Sequence, residues 1–176
     1  MWSRGTQFSF RGAFTAMATG GRKAHAPTAQ KNSFKNITNK EWSKAFETGL
    51  FASLDANRIK ELGQRVPETY PFILDDSVEQ SIVKTKQAVE MCTKLGLEAE
   101  MQRTSVVKIR AGKGTMRNRR YKIKRGPLFV VSSLDAPLFK AIRNIKGFEV
   151  ITPEFLMVQD FAMSYKPGRM VIFTKS

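Results

Sequence analysis

The chain has 176 residues, 41% of them hydrophobic, which is enough for one domain with a real core and not comfortably for two. Thirty Lys and Arg against fifteen Asp and Glu leave a formal net charge of +15, which favours a polyanionic partner, either nucleic acid or an anionic membrane surface. No apolar run approaches the ~18 to 20 residues of a spanning helix, so a membrane is within reach only at its surface, and a single cysteine, Cys92, excludes an internal disulfide.

The charge is segmented along the chain. Residues 1 to 40 hold seven bases and no acid, residues 41 to 107 eight bases and eleven acids, residues 108 to 127 nine bases and no acid, and residues 128 to 176 six bases and four acids. Two acid-free basic segments therefore alternate with two near-neutral ones.

The first basic segment contains "MWSRGTQFSFRGAFTAMATGGRKAH", whose Arg, Ser and Ala content also fits a mitochondrial presequence. Gly5, Gly12, Gly20 and Gly21 spoil any long amphipathic helix, and a segment that stays unstructured until it is laid against RNA explains the same composition. From Asn39 the spacing of Trp42, Ala45, Phe46, Leu50 and Leu54 predicts a helix with one apolar face, weakened by Gly49. A short helix follows over about Ala56 to Leu62, ending at Gly63. "PFILDDS" reads as a brief buried strand. Ser77, with Gln80 three residues on, then predicts an N-cap for one helix carrying Val78, Ile82, Val89, Cys92 and Leu95 and stopped by Gly96.

After the second basic segment, "LFVVSS" is a continuous apolar strand of the kind buried on both faces. Asp135 and Pro137 open a helix over "APLFKAIRNI", closed by Gly147; "FEVI" is a strand, Thr152 and Pro153 begin a helix near "PEFLMVQ", and "RMVIFT" is the last strand. Strands alternating with helices predict an α/β fold, a layered domain with a mainly parallel four-stranded sheet and helical crossovers, plus a long extended basic N-terminal loop.

Enzyme chemistry finds little to work with. His25 lies in "GGRKAHAPT" with no local partner to orient it as a base, and Cys92 has no second ligand near it, so it reads as a small buried hydrophobe. Asp75 and Asp76 point to opposite faces if extended, and suit a helix entry. "AGKGT" resembles a phosphate loop only in composition, since Val107 stands where the first Gly belongs and Gly114 where a Ser or Thr must follow Lys113. No catalytic residue, metal, cofactor or small-molecule substrate is expected.

What remains is electrostatic recognition by the 108–127 segment. Lys108, Arg110, Lys113, Arg117, Arg119, Arg120, Lys122, Lys124 and Arg125 repel one another unless a polyanion is present. Gly112 and Gly114 let the backbone come close to a partner, the guanidinium forks can grip phosphates, and Tyr121 or an Arg can stack on unpaired bases. Arg4, Arg11, Arg22 and Lys23 supply the first basic arm.

Two blocks, "RGAFTAMATGGRKAHAPT" at 11 to 28 and "IRAGKGTMRNRRYKIKRGPLFVV" at 109 to 131, resemble the archaeal and eukaryotic branch of the universal large-subunit ribosomal protein "L-four" family. "FILDD" lies between them and "FKAIRNIKGFEVIT" follows, as in that family, so the likeness runs from about Arg4 to Thr174. The resemblance implies a structural constituent of the large ribosomal subunit that binds large-subunit rRNA, supports assembly and lines the peptide exit tunnel. Residues 1–38 would be the extended rRNA and exit-tunnel loop, and residues 39–176 the globular α/β domain. Gly20, Gly21, Arg22, His25 and Pro27 match the inward loop; Arg110, Gly112, Lys113, Gly114, Arg117, Arg119 and Arg120 match the rRNA-binding segment. Implied partners are large-subunit rRNA, neighbouring large-subunit ribosomal proteins and the nascent chain at the tunnel, with no membrane. The implied location is the cytosolic ribosome, with a nucleolar stage in a eukaryote. Family members begin upstream with a strand and a helix, which this chain is expected to lack. The alternative is a mitochondrial or free-standing RNA-binding protein outside the cytosolic ribosome.

Overall fold

A computed structural model describes residues 2–4, 8–10, 15–17, 20–163 and 165–175. The chain divides into two units, Met1–Asn36 and Ile37–Ser176. In the first, Trp2–Arg4 (β1) and Phe8–Phe10 (β2) pair antiparallel, with Trp2 opposite Phe10 and Arg4 opposite Phe8. The sequence had marked no strand there. From Gly20 to Asn36 the unit has turns and neither helix nor strand; the Asn32 Oδ1 accepts the Phe34 N–H at 2.9 Å.

The second unit opens on α1 (Asn39–Leu54). A capping box starts it: Thr38 Oγ1 accepts the Glu41 N–H, and the Glu41 carboxylate takes the Thr38 hydroxyl at 2.8 Å and its N–H at 3.1 Å. Of the apolar face foreseen from Trp42 to Leu54, Phe46 and Leu50 pack against the core while Trp42, Ala45 and Leu54 are exposed, and the buried positions are Gly49 and Ser53. Gly49 has a packing reason: a Cβ there would lie 3.2 Å from the Phe161 ring. Asp55 caps α2 (Ala56–Glu61) through the Asn57 N–H. Then come β3 (Ile73–Leu74), α3 (Asp76–Ser81), α4 (Thr85–Lys94) and α5 (Glu98–Ser105). After them stand β4 (Lys108–Ile109), β5 (Tyr121–Lys122), β6 (Leu128–Val130), α6 (Pro137–Arg143), β7 (Glu149–Ile151) and β8 (Val171–Thr174).

Three expectations about helices change. Ser77 is not an N-cap; the N-cap is Asp75, two residues earlier, and α3 starts at Asp76. The single helix expected up to Gly96 is broken, because Ile82 leaves helical geometry (φ −95°, ψ 100°) and is buried in the core. Gln87 Oε1, in the first turn of α4, accepts the N–H groups of Val83 and Lys84 and so ties the residues before the helix to its start. Finally, "PEFLMVQ" folds as two 3-10 turns, Pro153–Phe155 and Val158–Phe161, and not as an α-helix.

The sheet has the order β3-β8-β6-β7, and all of its pairings are parallel, as the alternation of strands and helices required. Its strands feed two cores. Phe129, Val131, Met170 and Ile172 face one side, packing with Leu74, Cys92, Leu138 and Ile142 beneath α3, α4 and α6. Leu128, Val130 and Val171 face the other, with Phe161, Phe46 and Leu50 under α1. The period of two along an unbroken apolar strand is what a sheet covered on both faces demands.

Candidate nucleic-acid interface

The basic stretch leaves the C-terminus of α5, runs out as β4, turns, and returns as β5 to enter β6. β4 and β5 form an antiparallel ribbon, Lys108 opposite Lys122 and Ile109 opposite Tyr121, and the Arg110 N–H extends it with a 2.7 Å bond to the Arg120 carbonyl. The turn is held by hydrogen bonds to its own backbone carbonyls. Gly112 sits at φ 77° and starts a 3-10 turn to Gly114. The Thr115 hydroxyl donates to the Arg110 carbonyl at 2.6 Å, and the Arg117 and Arg119 N–H groups converge on the Gly114 carbonyl at 3.2 and 3.0 Å. Arg110 Nε donates to the Arg119 carbonyl at 2.9 Å, and a Cβ at position 114 would strike the Arg110 side chain.

The foot of the ribbon is clamped by buried ions. Glu100 on α5, fully buried, accepts Arg103 Nε at 2.7 Å and the Arg65 N–H at 3.0 Å, while the Arg103 guanidinium also donates to the Arg125 carbonyl. On the other side Arg169, equally buried, donates Nε to the Gly126 carbonyl at 2.8 Å and pairs with Glu149 on β7 at 2.6 Å. Burial lowers the Arg169 pKa from its ordinary value, and the Glu149 carboxylate opposes that shift. The Gly126 N–H closes the foot on the Gly147 carbonyl at 2.7 Å.

Electrostatically the ribbon is one-sided. Arg125 Nε meets Glu149 Oε1 at 3.5 Å; among the described residues Lys108, Arg110, Lys113, Arg117, Arg119, Arg120, Lys122 and Lys124 have no acidic partner. The acid for Arg125 comes from β7, out of sight of any local reading. Apart from partly covered Arg110, these bases are exposed. The Arg120 guanidinium lies 5.7 Å from the centre of the Tyr121 ring, a cation–π pair on an exposed aromatic. Lys113 is followed by a turn and not by a helix, so the phosphate-loop reading of "AGKGT" has no structural support.

The remaining sequence-selected residues lie in the first unit. Gly20 adopts φ 74°, Gly21 is partly covered, and Arg22, Lys23, His25 and Pro27 are exposed. Arg4 lies in β1, with its side chain outside what is described, and Arg11 lies outside the described residues.

Residues 5–176 match the ribosomal protein L4/L1 family. The chain belongs to that family. Among similar proteins, the large ribosomal subunit protein uL4 of Nanoarchaeum equitans is 38% identical over 160 residues, 91% of this chain and 59% of that protein. The uL4 of Methanoregula boonei is 36% identical over 167 residues, 94% of this chain and 66% of its own length, and that of Sulfolobus acidocaldarius 36% over 159 residues, 89% and 59%. The chain thus spans less than two thirds of the length of these curated relatives. The family matched is the one that the two motif blocks resemble.

Cys92 is fully buried, and burial pushes its thiol pKa up to about 12, in keeping with the buried hydrophobe expected. Among the described residues no group of three His, Cys, Asp or Glu could hold a metal ion, and no described helix is long and apolar enough to cross a membrane. The sequence reading missed the clamp residues Glu100, Arg103, Glu149 and Arg169. The only local signal was the i, i+3 spacing of Glu100 and Arg103.

Proposed function

We propose that the chain is a structural, non-catalytic constituent of the large ribosomal subunit that grips large-subunit rRNA with the ribbon of residues 108–127. The observation that carries this reading is the ribbon itself: among the described residues, eight bases without an acidic partner on a hydrogen-bonded turn, clamped to the α/β domain by Arg103, paired with buried Glu100, and by buried Arg169, which donate to the Arg125 and Gly126 carbonyls. Such an array is self-repelling alone and becomes favourable against phosphates. Family membership supports placing it in the large subunit, as the relatives' names describe. In this reading residues 1–38 form the extended rRNA and exit-tunnel loop, close to the nascent chain, and neighbouring ribosomal proteins are further partners. The protein works in the cytosolic ribosome and supports subunit assembly.

The test is incorporation. The parent chain is expected to stay with the large subunit through high-salt sedimentation, and the joint change Arg117→Glu, Arg119→Glu, Arg120→Glu to abolish incorporation while far-UV circular dichroism stays the same, since all three side chains are exposed. Normal incorporation of the triple variant would refute the role given to the ribbon.

A further inference from the structure

The register of the ribbon sorts its side chains by chemistry. Successive strand residues point to opposite faces, so Lys108 and its partner Lys122 share one face while Ile109 and its partner Tyr121 share the other. The alternation continued by one residue carries Val107 and Ile123 onto the face of Ile109 and Tyr121. That apolar face is open to solvent: Ile109 is 67% exposed, Tyr121 57% and Ile123 52%. A two-stranded ribbon is marginal in water, and exposing β-branched residues on one side of it has no folding advantage.

The geometry points to a two-faced RNA contact, in which Lys108 and Lys122 meet phosphates while Ile109, Tyr121 and Ile123 receive unpaired bases of the same RNA. The inference rests on the reading that this stretch binds RNA, and deepens it by naming the kind of RNA: single-stranded or junction segments and not continuous duplex. Charge selects the occupant. The apolar face is bordered by Arg120, Lys124 and Arg110 with no acid in the ribbon, so a protein partner would have to bring acids to every edge of its contact. RNA brings phosphate and apolar base surface together, and only unstacked bases expose the latter. The Arg120 guanidinium over Tyr121 already provides a cation–π neighbour for a stacked base.

The experiment uses the full chain and two fluorescently labelled RNAs of equal length, a mixed-sequence single strand and a hairpin duplex, with affinities measured over a series of salt concentrations. Ile109→Thr with Ile123→Thr keeps β-branching and hence strand preference while weakening the apolar face, and Tyr121→Ala removes the ring. Tyr121→Ala is expected to weaken single-strand binding about 5- to 150-fold, the range for one lost base stack, with the salt slope and duplex affinity unchanged. The Ile pair should act in the same direction. Lys108→Gln with Lys122→Gln should flatten the single-strand slope by about 1.4, two phosphates at about 0.7 each. If the apolar-face variants bind both RNAs as the parent does, or weaken both equally, the two-faced contact is overturned. If at the same time the lysine variant loses affinity, RNA binding by the ribbon survives. A parent chain that binds neither RNA, or a lysine variant indistinguishable from it, overturns the ribbon's RNA-binding role as well.

Discussion

Replacing Glu100 by Gln takes a charge out of a place water does not reach. The Glu100 side chain has no exposure and the Arg103 side chain only 10%; the carboxylate collects two donors from Arg103 and the Arg65 N–H. In the variant the guanidinium stays buried with the Arg125 carbonyl as its remaining acceptor, facing an amide that turns an N–H₂ or a single weaker oxygen toward it. Breaking a buried pair in this way costs about 3 to 5 kcal/mol, a large share of the ~5 to 15 kcal/mol that hold a domain together. With a urea slope of about 1 to 3 kcal/mol per molar, the unfolding midpoint should fall by roughly 2 M, and the thermal midpoint by roughly 6 to 20 °C. Equilibrium urea denaturation followed by circular dichroism reads this directly. The double variant Glu100→Met, Arg103→Met should recover much of the loss, because a buried pair exchanged for apolar side chains is often near neutral. A single variant within about 1 kcal/mol of the parent would mean the pair is worth no more than a surface contact, and the clamp reading would fail.

Gly147→Ala should destabilise the foot of the ribbon. Its φ of 81° alone costs a side-chain-bearing residue about 1 to 3 kcal/mol. The new Cβ would also lie 2.5 Å from the Lys124 carbonyl oxygen and 2.8 Å from Thr104 Cβ, so a thermal midpoint equal to the parent's would contradict the packing. Cys92, with its thiol pushed up to about 12 by burial, should be inert to a disulfide reagent at neutral pH and react once urea unfolds the chain; immediate reaction in native buffer would place it at the surface. Hydrogen bonds from Thr38 hold the Glu41 carboxyl below its ordinary pKa, so its share of stability is complete above the usual carboxylate range and is lost as pH falls through the lowered value. The gap in melting temperature between the parent and Glu41→Ala should therefore be widest near neutral pH and close in acid. A gap independent of pH would rule out the charged cap.

Much of the domain could be read from local pattern. "LFVV" announced a strand buried on both faces, and Leu128 and Phe129 do feed opposite cores. Pro137 opens α6, and the acid-free run from Lys108 marked the ribbon before any fold was known. The losses have physical causes. α5 was invisible because its fully buried positions are Glu100 and Thr104, polar residues satisfied by long-range and local bonds, and Met101 is its one large apolar side chain packed against the core. The break at Ile82 depends on the core capturing one side chain and on Gln87 capping the next helix, neither of which helical spacing encodes. Phe161, at the end of the second 3-10 turn, is fully buried against Phe46 on α1, a contact between distant residues that no local spacing encodes.

The sequence by itself therefore determined the class of fold, the family, and where along the chain the charge lies, because these rest on composition, periodicity and motif, all local properties. Only the tertiary structure decided the strand order with β8 between β3 and β6, the pairing of Arg125 with Glu149, and the division of the ribbon into a basic and an apolar face. Each of these is a matter of register and of contacts between residues far apart in the chain, such as Arg169 with Gly126, 43 positions away. Many strand orders share one apolar pattern, and packing and buried polar bonds select among them.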